Sequence, residues 1–497
     1  MKIHFLLINL LFLTVLATAQ VEKSSELYKS IKAKDSLLFN LGFNKCDMNQ
    51  FENLVSESFK FYHDKAGIVK SKSEFISNIK SSVCNIEYKA IRKLDSTKTE
   101  IYPLHNNTVL YGAIQNGVHS FYSLEENSKE YLTSIAKFTH VWILENGKWK
   151  LSKGLSYDHK DFDKPINQEL LFKDKDETEK WLKQKNIPAL GIGYIEDGKI
   201  KQINVFGELE KGRKAPKNTI WNVASLTKPI VTLITLKLVS NGNWSLDEPI
   251  YHYWIDPDVK NDDRYKTLTT RHILSHQTGF SNWRWFDKES ENKLTFHFNP
   301  GTNYQYSGEG YEYLKKALEN KFKISLEKLA DSLIFKPLKM KDTRFYWNKK
   351  MDESRFAKWH TAGGELYDTY KNNNVSAADD LLTTIEDYTK FILYIINGAE
   401  LSESLQKEMS EEQVRINSSK YWGLGFWIDE NINKNGDITL VHGGDDIGVH
   451  TIAFMLPKTK QGLIIFTNSD NGTEAFQEVL LKYLEENGQG IIEVEMK

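Results

Sequence analysis

The sequence predicts an α+β protein built from two domains with different patterns. Helical patterns cover residues 24–43, 48–56 and 71–80, and the following stretch to Asp158 reads as strands and turns rich in β-branched and aromatic residues. Helices first and a long antiparallel run afterwards indicate an α+β domain. The carboxyl-terminal part combines a helix that is apolar on nearly every side, residues 226–239, with alternating strand patterns over residues 437–470. A chain of 497 residues is long enough for two or three domains with hydrophobic cores.

Residues 1–19 have the pattern of a signal peptide. Lys2 precedes an apolar run over residues 5–16, and residues 17–19 supply a small-x-small cleavage site. The run is too short for a transmembrane helix, although a short membrane anchor is an alternative. We therefore expect cleavage after Ala19, export to the periplasm or the medium, and no stable membrane span afterwards.

Charge and cysteine content limit the partners and cofactors. The 65 basic and 67 acidic residues give a net charge of −2, and the lack of a basic block argues against nucleic acid as a partner. Cys46 and Cys84 could form a disulfide in an oxidising compartment, with two buried free thiols as the alternative. His272 and His276 could share a helical face and bind a metal, but capping and packing are favoured because no metal-binding carboxylate motif accompanies them. We therefore predict no metal site.

Three helices and a run of strands are expected in the first domain. The helices lie near residues 24–43, 48–56 and 71–80, the last with capping-box spacing at its start. Strand patterns follow, and Asn146-Gly147 between two of them is a strong hairpin signal.

The segments "SESFKFYHDKAG" and "FTHVWILENGKWKLSKGLSYDH" give the first domain, residues 22–158, a resemblance to the nuclear transport factor 2-like (SnoaL-like) cone fold. The resemblance implies a cone that often holds a small ligand, sometimes with a catalytic His or Asp. The candidates here are His63, Asp64, His140 and Asp158. Because the sequence pairs no nucleophile with a base, a non-catalytic accessory domain is favoured over a catalytic one.

A charged segment separates the two domains. Residues 159–175 are rich in charge and poor in aliphatic pattern, which is typical of a linker. The second domain, residues 176–497, is expected to begin with an exposed helix that ends near Asn186. Two strands then follow around an Asp197-Gly198 turn.

Ser225 lies where a short extended piece meets the apolar helix of the second domain. Lys228 follows three residues later, so the hydroxyl and the amine share a helical face. A serine hydroxyl becomes a good nucleophile when a base takes its proton, and a lysine can do so when desolvation or a helix amino terminus lowers its pKa. Ser-x-x-Lys alone is weak evidence, because a capping serine beside a surface lysine gives the same letters.

Two downstream segments carry further candidates. Tyr306 precedes a helix expected to begin near Gly310, and a tyrosine at such an entrance can transfer a proton. The segment "HGGD", residues 442–445, lies between strand patterns. Its glycines let a ligand approach the backbone, and free N–H groups at a strand edge can bind an oxyanion.

The motifs "SLTK" at Ser225, "YSG" at Tyr306 and "HGG" at His442 have the order and intervals of one superfamily. Together they resemble the serine β-lactamase and penicillin-binding protein superfamily, and most closely its class C β-lactamase, DD-peptidase and esterase branch. Connecting segments such as "LTTRHILSHQTGF" and "YWGLGFWI" agree, and the resemblance covers almost all of the second domain. It implies a mostly antiparallel sheet flanked by helices, a helical subdomain, and an active site between the two.

The resemblance also implies a role for each matching residue. Ser225 corresponds to the acylated nucleophile, and Lys228 and Tyr306 correspond to the pair that moves its proton. The backbone N–H groups of Ser225 and Asp445 would form the oxyanion hole. The remaining substrate-binding candidates are His442, which replaces the lysine of a Lys-Thr-Gly strand, and Gly443, Gly444 and Gly308.

Gly308 is the chief departure from the family pattern. An asparagine usually stands at this position and contacts the acyl side chain of a lactam or peptide. Its replacement by glycine puts β-lactam recognition in doubt and leaves the acyl-transfer residues intact.

The expected function is that of a secreted serine hydrolase that forms an acyl-enzyme on an ester, peptide or β-lactam carbonyl, with an esterase- or peptidase-like activity favoured. Its partner would be a small molecule or peptide that carries an acyl group, and the chemistry needs no cofactor. The alternatives are a class C-like β-lactamase, a non-hydrolytic sensor of penicillin or cell-wall fragments, and a protein whose main chemistry lies in the cone. The sequence leaves the oligomeric state open.

Overall fold

The computed structural model describes residues 20–125, 129–288, 290–349 and 351–496. The chain divides after Pro165 into two compact units, which we call the first unit (Met1–Pro165) and the second unit (Ile166–Lys497). The predicted signal peptide lies outside the described residues. Within the described ranges, no helix combines the length and the apolar character needed to cross a bilayer.

The first unit contains three α-helices and seven strands in its described residues. The helices are α1 (Glu26–Ser36), which a π-helical segment extends over Leu37–Phe43, α2 (Met48–Leu54) and α3 (Lys72–Ser82). The strands are β1 (Val55–His63), β2 (Gly67–Val69), β3 (Lys89–Leu94), β4 (Glu100–Asn106), β5 (Val109–Leu124), β6 (Tyr131–Glu145) and β7 (Lys148–Asp161). The three helices occur where the sequence predicts them, whereas β1 and β2 were not predicted.

All seven strands form one sheet in the order β2-β1-β7-β6-β5-β3, with β4 beside β5. Strands β5, β6 and β7 pair antiparallel, and the turn between β6 and β7 has φ of +49° at Asn146 and +75° at Gly147, as the hairpin prediction requires. Strand β1 runs parallel to β7. The sheet is therefore not the purely antiparallel run expected from the sequence, because local periodicity carries no information about the pairing of strands far apart in the chain.

The helices of the first unit pack against the sheet around a core rich in aromatic residues. Phe51 of α2, Phe59 of β1, Phe75 of α3 and Trp142 of β6 are buried in this core. A disulfide joins Cys46, before α2, to Cys84, just after α3. It ties two helical segments together across 38 residues of chain.

The second unit contains eight α-helices and eleven strands in its described residues. The helices are α4 (Lys175–Gln184), α5 (Thr227–Ser240), α6 (Thr270–Leu274), α7 (Gly308–Phe322), α8 (Leu326–Ala330), α9 (Ile385–Ile396), α10 (Glu403–Ser410) and α11 (Phe476–Glu495). The strands are β8 (Ala189–Glu196), β9 (Lys199–Glu210), β10 (Arg213–Lys214), β11 (Ile220–Asn222), β12 (Leu382–Thr384), β13 (Val414–Asn417), β14 (Lys420–Trp422), β15 (Trp427–Asp429), β16 (Thr439–Asp446), β17 (Val449–Leu456) and β18 (Gln461–Thr467).

Nine of these strands form an antiparallel sheet in the order β10-β9-β8-β18-β17-β16-β15-β14-β13. Leu463 and Ile465 of β18 face a core shared with α4 and α11, while Ile464 and Phe466 face the core around α5 and α9. Both faces of the sheet are therefore covered at its centre, which explains why β8 and β18 are buried along nearly their whole length.

Helix α5 lies in the larger of these cores and is buried around most of its circumference. It follows β11, which pairs with β12 in a separate two-stranded sheet. Helices α6, α7 and α8 contribute to the same core as α5, and they form the helical part of the unit. The turn that carries Ser225 thus lies between the sheet and the helices.

Candidate active site

Ser225 lies in a tight 3-10 turn, Ala224–Leu226, between β11 and α5. Ala224 has φ of +44°, a left-handed conformation that is rare for a residue with a side chain. The Asn222 side chain holds this strained residue by accepting a hydrogen bond from the Ala224 N–H at 2.8 Å, and the Thr227 hydroxyl donates to the Ala224 carbonyl at 2.7 Å. Strain held by several hydrogen bonds is a common feature of functional turns.

Lys228 is fully buried in the first turn of α5, directly behind Ser225. Its Nζ donates to the Ser225 Oγ at 2.9 Å and to the Ala378 carbonyl at 2.7 Å. Burial lowers the pKa of Lys228, and the negative charge of Asp379 opposes part of that shift. A lysine that gives up its proton this readily can exchange protons with the hydroxyl it contacts.

Tyr306 completes a three-residue cluster around the Ser225 hydroxyl. Its hydroxyl interacts with the Ser225 side chain, and its ring centre lies 4.8 Å from the Lys228 Nζ. Burial raises the pKa of Tyr306, so its hydroxyl is protonated in the resting site. Side chains from motifs more than 75 residues apart in the sequence thus lie close enough to exchange a proton.

The two histidines considered as metal ligands have structural roles beside this cluster. His272 caps α6 together with Thr269, while His276 follows the helix with φ of +55°. The His276 ring packs 4.2 Å from that of Tyr306, and its Nδ1 accepts a hydrogen bond from the Ser307 N–H at 3.0 Å. Capping and packing therefore account for both, and His276 fixes the position of the tyrosine ring.

Strand β16 brings its glycines against the Ser225 turn. A Cβ atom on Gly444 would lie 2.2 Å from the Val223 carbonyl oxygen and 3.1 Å from the Leu226 nitrogen, so a larger residue would push the strand away from the turn. Thr451 of the adjacent strand donates to the same Val223 carbonyl at 3.0 Å. The Asp445 N–H, next in β16, remains the predicted second oxyanion donor.

His442 is buried beside the cluster in a neutral form. Burial and the charge of Lys228 lower its pKa to about 3. Its Nδ1 lies 2.8 Å from the Gly443 carbonyl, which can only accept, so Nδ1 carries the proton. The Nε2 atom is therefore an acceptor, and it finds no hydrogen-bond partner among the described residues.

A cleft of about 590 Å³ opens in front of these residues, lined among others by Ser225, Tyr306 and the strand from His442 to Asp445. Its charged rim residues are paired with one another. Lys420 lies 2.5 Å from Glu495, and Asp445 lies 2.5 Å from His450. Among the described residues of the cleft, the cations are thus either paired or, like Lys228, buried behind the serine.

The expectation that Gly308 borders the substrate needs correction. Gly308 is buried at the start of α7 and is not among the described residues that line the cleft. A Cβ atom there would lie 2.9 Å from two ring carbons of Trp283. The cleft is instead lined by Asn282, whose Oδ1 accepts the Gly308 N–H at 2.8 Å. An amide from a neighbouring loop therefore stands near the place where the family pattern has an asparagine.

Asp379 is a site residue that the sequence analysis did not single out. It lies largely buried next to Ala378, the carbonyl partner of Lys228, and burial together with the negative charge of Asp380 raises its pKa. Carboxylate oxygens of Asp379, Asp380 and Asp446 lie within 4.8 Å of one another. The only sequence signal was a pair of acidic residues inside the apolar segment "AADDLL".

The four candidates of the first unit separate into two groups. His63 and His140 line a cavity of the first unit, and Asp64 binds the ring of His159, which lines the same cavity. Asp158 points elsewhere and forms an ion pair with Lys137 at 2.9 Å.

The chain is similar to proteins of known family and known structure. The Beta-lactamase family model matches residues 145–485, more than half of the chain. Penicillin-binding protein 4* of Bacillus subtilis (strain 168) is 26% identical over 332 residues, which cover 58% of this chain and 70% of that protein. Protein flp of Staphylococcus aureus (strain MRSA252) is 22% identical over 312 residues, and the match spans 58% of this chain and only 60% of that protein. Among solved structures, the octameric penicillin-binding protein homologue from Pyrococcus abyssi has a TM-score of 0.54 and 20% identity, covering 62% of this chain and 76% of that chain.

Proposed function

Because the chain belongs to the beta-lactamase family, we propose that it is a serine hydrolase that cleaves uncharged esters or amides through an acyl-enzyme on Ser225. The observation that carries the proposal is the 2.9 Å hydrogen bond between the Ser225 Oγ and the buried Lys228 Nζ, with Tyr306 on the same hydroxyl. A nucleophile joined to a base that is itself held in place is the arrangement that covalent catalysis needs.

The reaction uses these residues in sequence. Ser225 attacks the carbonyl carbon while the neutral Lys228 takes its proton. The protonated Tyr306 then gives its own proton to the leaving alcohol or amine and regains one from Lys228. The backbone N–H groups of Ser225 and Asp445 bind the oxyanion, at about 3 kcal/mol of transition-state stabilisation per donor. Water then attacks the acyl-enzyme by the reverse proton path and releases the acid.

The charge of the cleft favours a substrate without a carboxylate. At the strand position of His442, the family pattern has a lysine, a cation suited to a substrate carboxylate. Here the side chain is a neutral acceptor. With Lys420 and His450 paired on the rim, a bound carboxylate would lose water without gaining a free cation. This supports an esterase- or peptidase-like activity over a β-lactamase-like one.

Asn282 supplies the amide contact in this proposal. Its Oδ1 is occupied by the Gly308 N–H, so its Nδ2 donors are left for the acyl group of the substrate. A carbonyl on the acyl side, such as that of an acylamino group, would fit these donors.

The test is a substrate panel with site mapping. An uncharged aryl ester, an uncharged D-alanyl amide, a D-Ala-D-Ala peptide and a cephalosporin are compared on the wild type, on Ser225→Ala and on Ser404→Ala, an exposed serine that serves as control. We expect the two uncharged substrates to have the higher kcat/KM, and Ser225→Ala to lower it at least about 1,000-fold. Peptide mapping after rapid quenching should find the acyl group on Ser225.

Two other outcomes would replace the proposal. If the cephalosporin has the highest kcat/KM, the protein is a β-lactamase. A stable adduct on Ser225 with no turnover of any substrate would instead identify a sensor of penicillin or cell-wall fragments.

Two parts of the chain outside the second unit also receive a proposed role. We propose that the first unit is a cone of the nuclear transport factor 2-like type, on the sequence segments that resemble it. We also propose that residues 1–19 direct export. Fractionation of the producing cells, with amino-terminal sequencing of the mature protein, tests the second point.

A further inference from the structure

The first unit encloses a cavity of about 660 Å³, a volume in the range of small-molecule sites. Much of its wall is apolar and includes six phenylalanines: Phe39, Phe43, Phe59, Phe61, Phe75 and Phe121. One side of the wall is polar and carries His63, His119, His140, Ser156 and His159. Hydrogen bonds connect three of these polar side chains, His119, Ser156 and His159, to one another.

The connected groups begin at a buried ion pair. Arg92 is 1% exposed and binds the Asp35 carboxylate at 2.7 Å. Its Nε donates to the His119 Nδ1 at 3.2 Å, and an arginine can only donate. Burial and this guanidinium lower the pKa of His119, so the ring is neutral and its proton sits on Nε2.

The position of this proton on the His119 Nε2 determines the direction of the next hydrogen bond. The His119 Nε2–H donates to the Ser156 Oγ at 3.2 Å, and Ser156 in turn donates to the His159 Nε2 at 3.1 Å. The His159 Nδ1–H then donates to the Asp64 carboxylate at 2.5 Å. With a neutral His159, the Ser156 proton points at a histidine whose other nitrogen is held by an aspartate.

A bulge in β7 makes this arrangement possible. Residues three apart on a regular strand face opposite sides of the sheet, yet Ser156 and His159 contact each other. Between them, Asp158 has φ of +57°, and the pairing of β6 with β7 shifts register there. A bulge of this kind re-aims a side chain, and it turns His159 back towards the cavity.

We propose that Ser156, His159 and Asp64 form a second nucleophilic site, which accepts a small aromatic or branched aliphatic ester in the cavity of the first unit. The geometry is that of an activated serine: a hydroxyl on a base, and the base oriented by a third group. The phenylalanine wall suits an uncharged apolar acyl group. This site shares no residue with the Ser225 cleft and does not depend on the function proposed for it.

The chemistry balances with the ester and water alone. The Ser156 Oγ forms a bond to the carbonyl carbon and passes its proton to the His159 Nε2. The ester C–O bond breaks, and the His159 proton goes to the departing alkoxide. Water, deprotonated by the same nitrogen, then cleaves the acyl-enzyme and releases the acid.

Two neighbouring histidines offer hydrogen bonds to the bound ester. The His63 Nδ1 accepts the N–H groups of Lys65 and Ala66, at 3.1 and 3.2 Å, so its proton is on Nε2. The His140 ring is 3% exposed, and its Nδ1 finds no hydrogen-bond partner among the described residues. His63, Asp64 and His159 are close enough to hold a metal ion. The His63 Nδ1, which lies 3.4 Å from the Asp64 carboxylate, is already occupied by two backbone N–H groups.

The test uses a fluorophosphonate probe on the full-length Ser225→Ala variant, with digestion and mass spectrometry to locate the adduct. A serine that reacts displaces fluoride from phosphorus and stays modified. We expect modification of Ser156, lost in Ser225→Ala/Ser156→Ala. With Asp64→Asn in the Ser225→Ala background, we expect a labelling rate at least about ten-fold lower, because the isosteric amide keeps the shape but loses the charge that stabilises the imidazolium.

Ser152→Ala is the matched control. Ser152 lies on the same strand, is buried, and is not among the described residues that line the cavity, so this change should leave labelling of Ser156 unaltered. Circular dichroism and thermal denaturation check that each variant is folded. The proposal is overturned if Ser156 in the folded Ser225→Ala protein reacts no faster than Ser152, or if Asp64→Asn leaves its rate unchanged.

Discussion

Gly308→Asn would restore the asparagine of the family pattern, and the structure gives a definite expectation for its effect. The new Cβ would lie 2.9 Å from Cζ2 and Cη2 of Trp283 and 3.1 Å from Cζ3, closer than packed carbon atoms approach. The Trp283 ring is itself stacked on Trp285, with centres 4.7 Å apart, which limits its movement. Overpacking of this kind costs about 1–3 kcal/mol, so the variant should lose that much free energy of unfolding in the second unit.

The effect on activity should be a loss for every substrate and not a gain for β-lactams. A displaced Trp283 moves the adjoining Asn282, whose carbonyl oxygen holds the Gly308 N–H. We expect the kcat/KM of an aryl ester and of a cephalosporin to fall together, by about ten-fold. Stopped assays with both substrates and urea denaturation of wild type and variant measure the two effects.

Trp283→Ala supplies the control, because it removes the atoms that Gly308→Asn would meet. In the double variant, the added cost of the asparagine should largely disappear, giving a coupling energy of about 1–2 kcal/mol in a double-mutant cycle. The reasoning is refuted if Gly308→Asn alone retains wild-type stability and raises the kcat/KM of the cephalosporin.

Four further predictions concern the Ser225 site and the disulfide. Burial lowers the pKa of Lys228 to about 8, and the amine accepts a proton only above its pKa, so kcat/KM for an uncharged ester should rise with pH through this region. The charge of Asp379 raises that pKa, so Asp379→Asn should shift the rise to lower pH; a shift to higher pH would contradict the assignment. Lys228→Ala should lower kcat/KM at least about 100-fold without loss of the fold, as measured by activity and thermal denaturation. Replacing Cys46 and Cys84 by serine should destabilise the first unit by about 3–4 kcal/mol in the chain-entropy model, and equal denaturation midpoints with and without the bond would show otherwise.

Much of the second unit can be predicted from sequence because its signals are local. The Asp197-Gly198 turn adopts φ of +51° and +67°, values that the two letters alone suggest. Ser225, Lys228 and Tyr306 meet because each lies in a motif with fixed spacing, and the structure brings their side chains together.

The parts that could not be predicted depend on contacts between distant segments. Asp379 approaches Lys228 across about 150 residues of chain, and its only local signal is an acidic pair inside an apolar segment. Asn282 lines the cleft only because its loop folds over the start of α7. In the first unit, the register shift at Asp158 sets the direction of His159, and a one-residue change of register cannot be read from composition or periodicity.

The proton relay and the charge of the substrate are linked through His442. A lysine at this position would both receive a substrate carboxylate and, as a second cation, help to keep Lys228 neutral. With a neutral histidine, the low pKa of Lys228 rests on burial, opposed by the nearby negative charges of Asp379 and Glu312. A substrate carboxylate in the cleft would add to that opposition and raise the pKa of Lys228, so the base would hold its proton more tightly in the complex than in the free enzyme. A substrate with a carboxylate would therefore bind more weakly, because no free cation receives it, and would react more slowly, because Lys228 accepts the Ser225 proton less readily. An uncharged ester or amide avoids both losses, which is the physical reason for placing such substrates first.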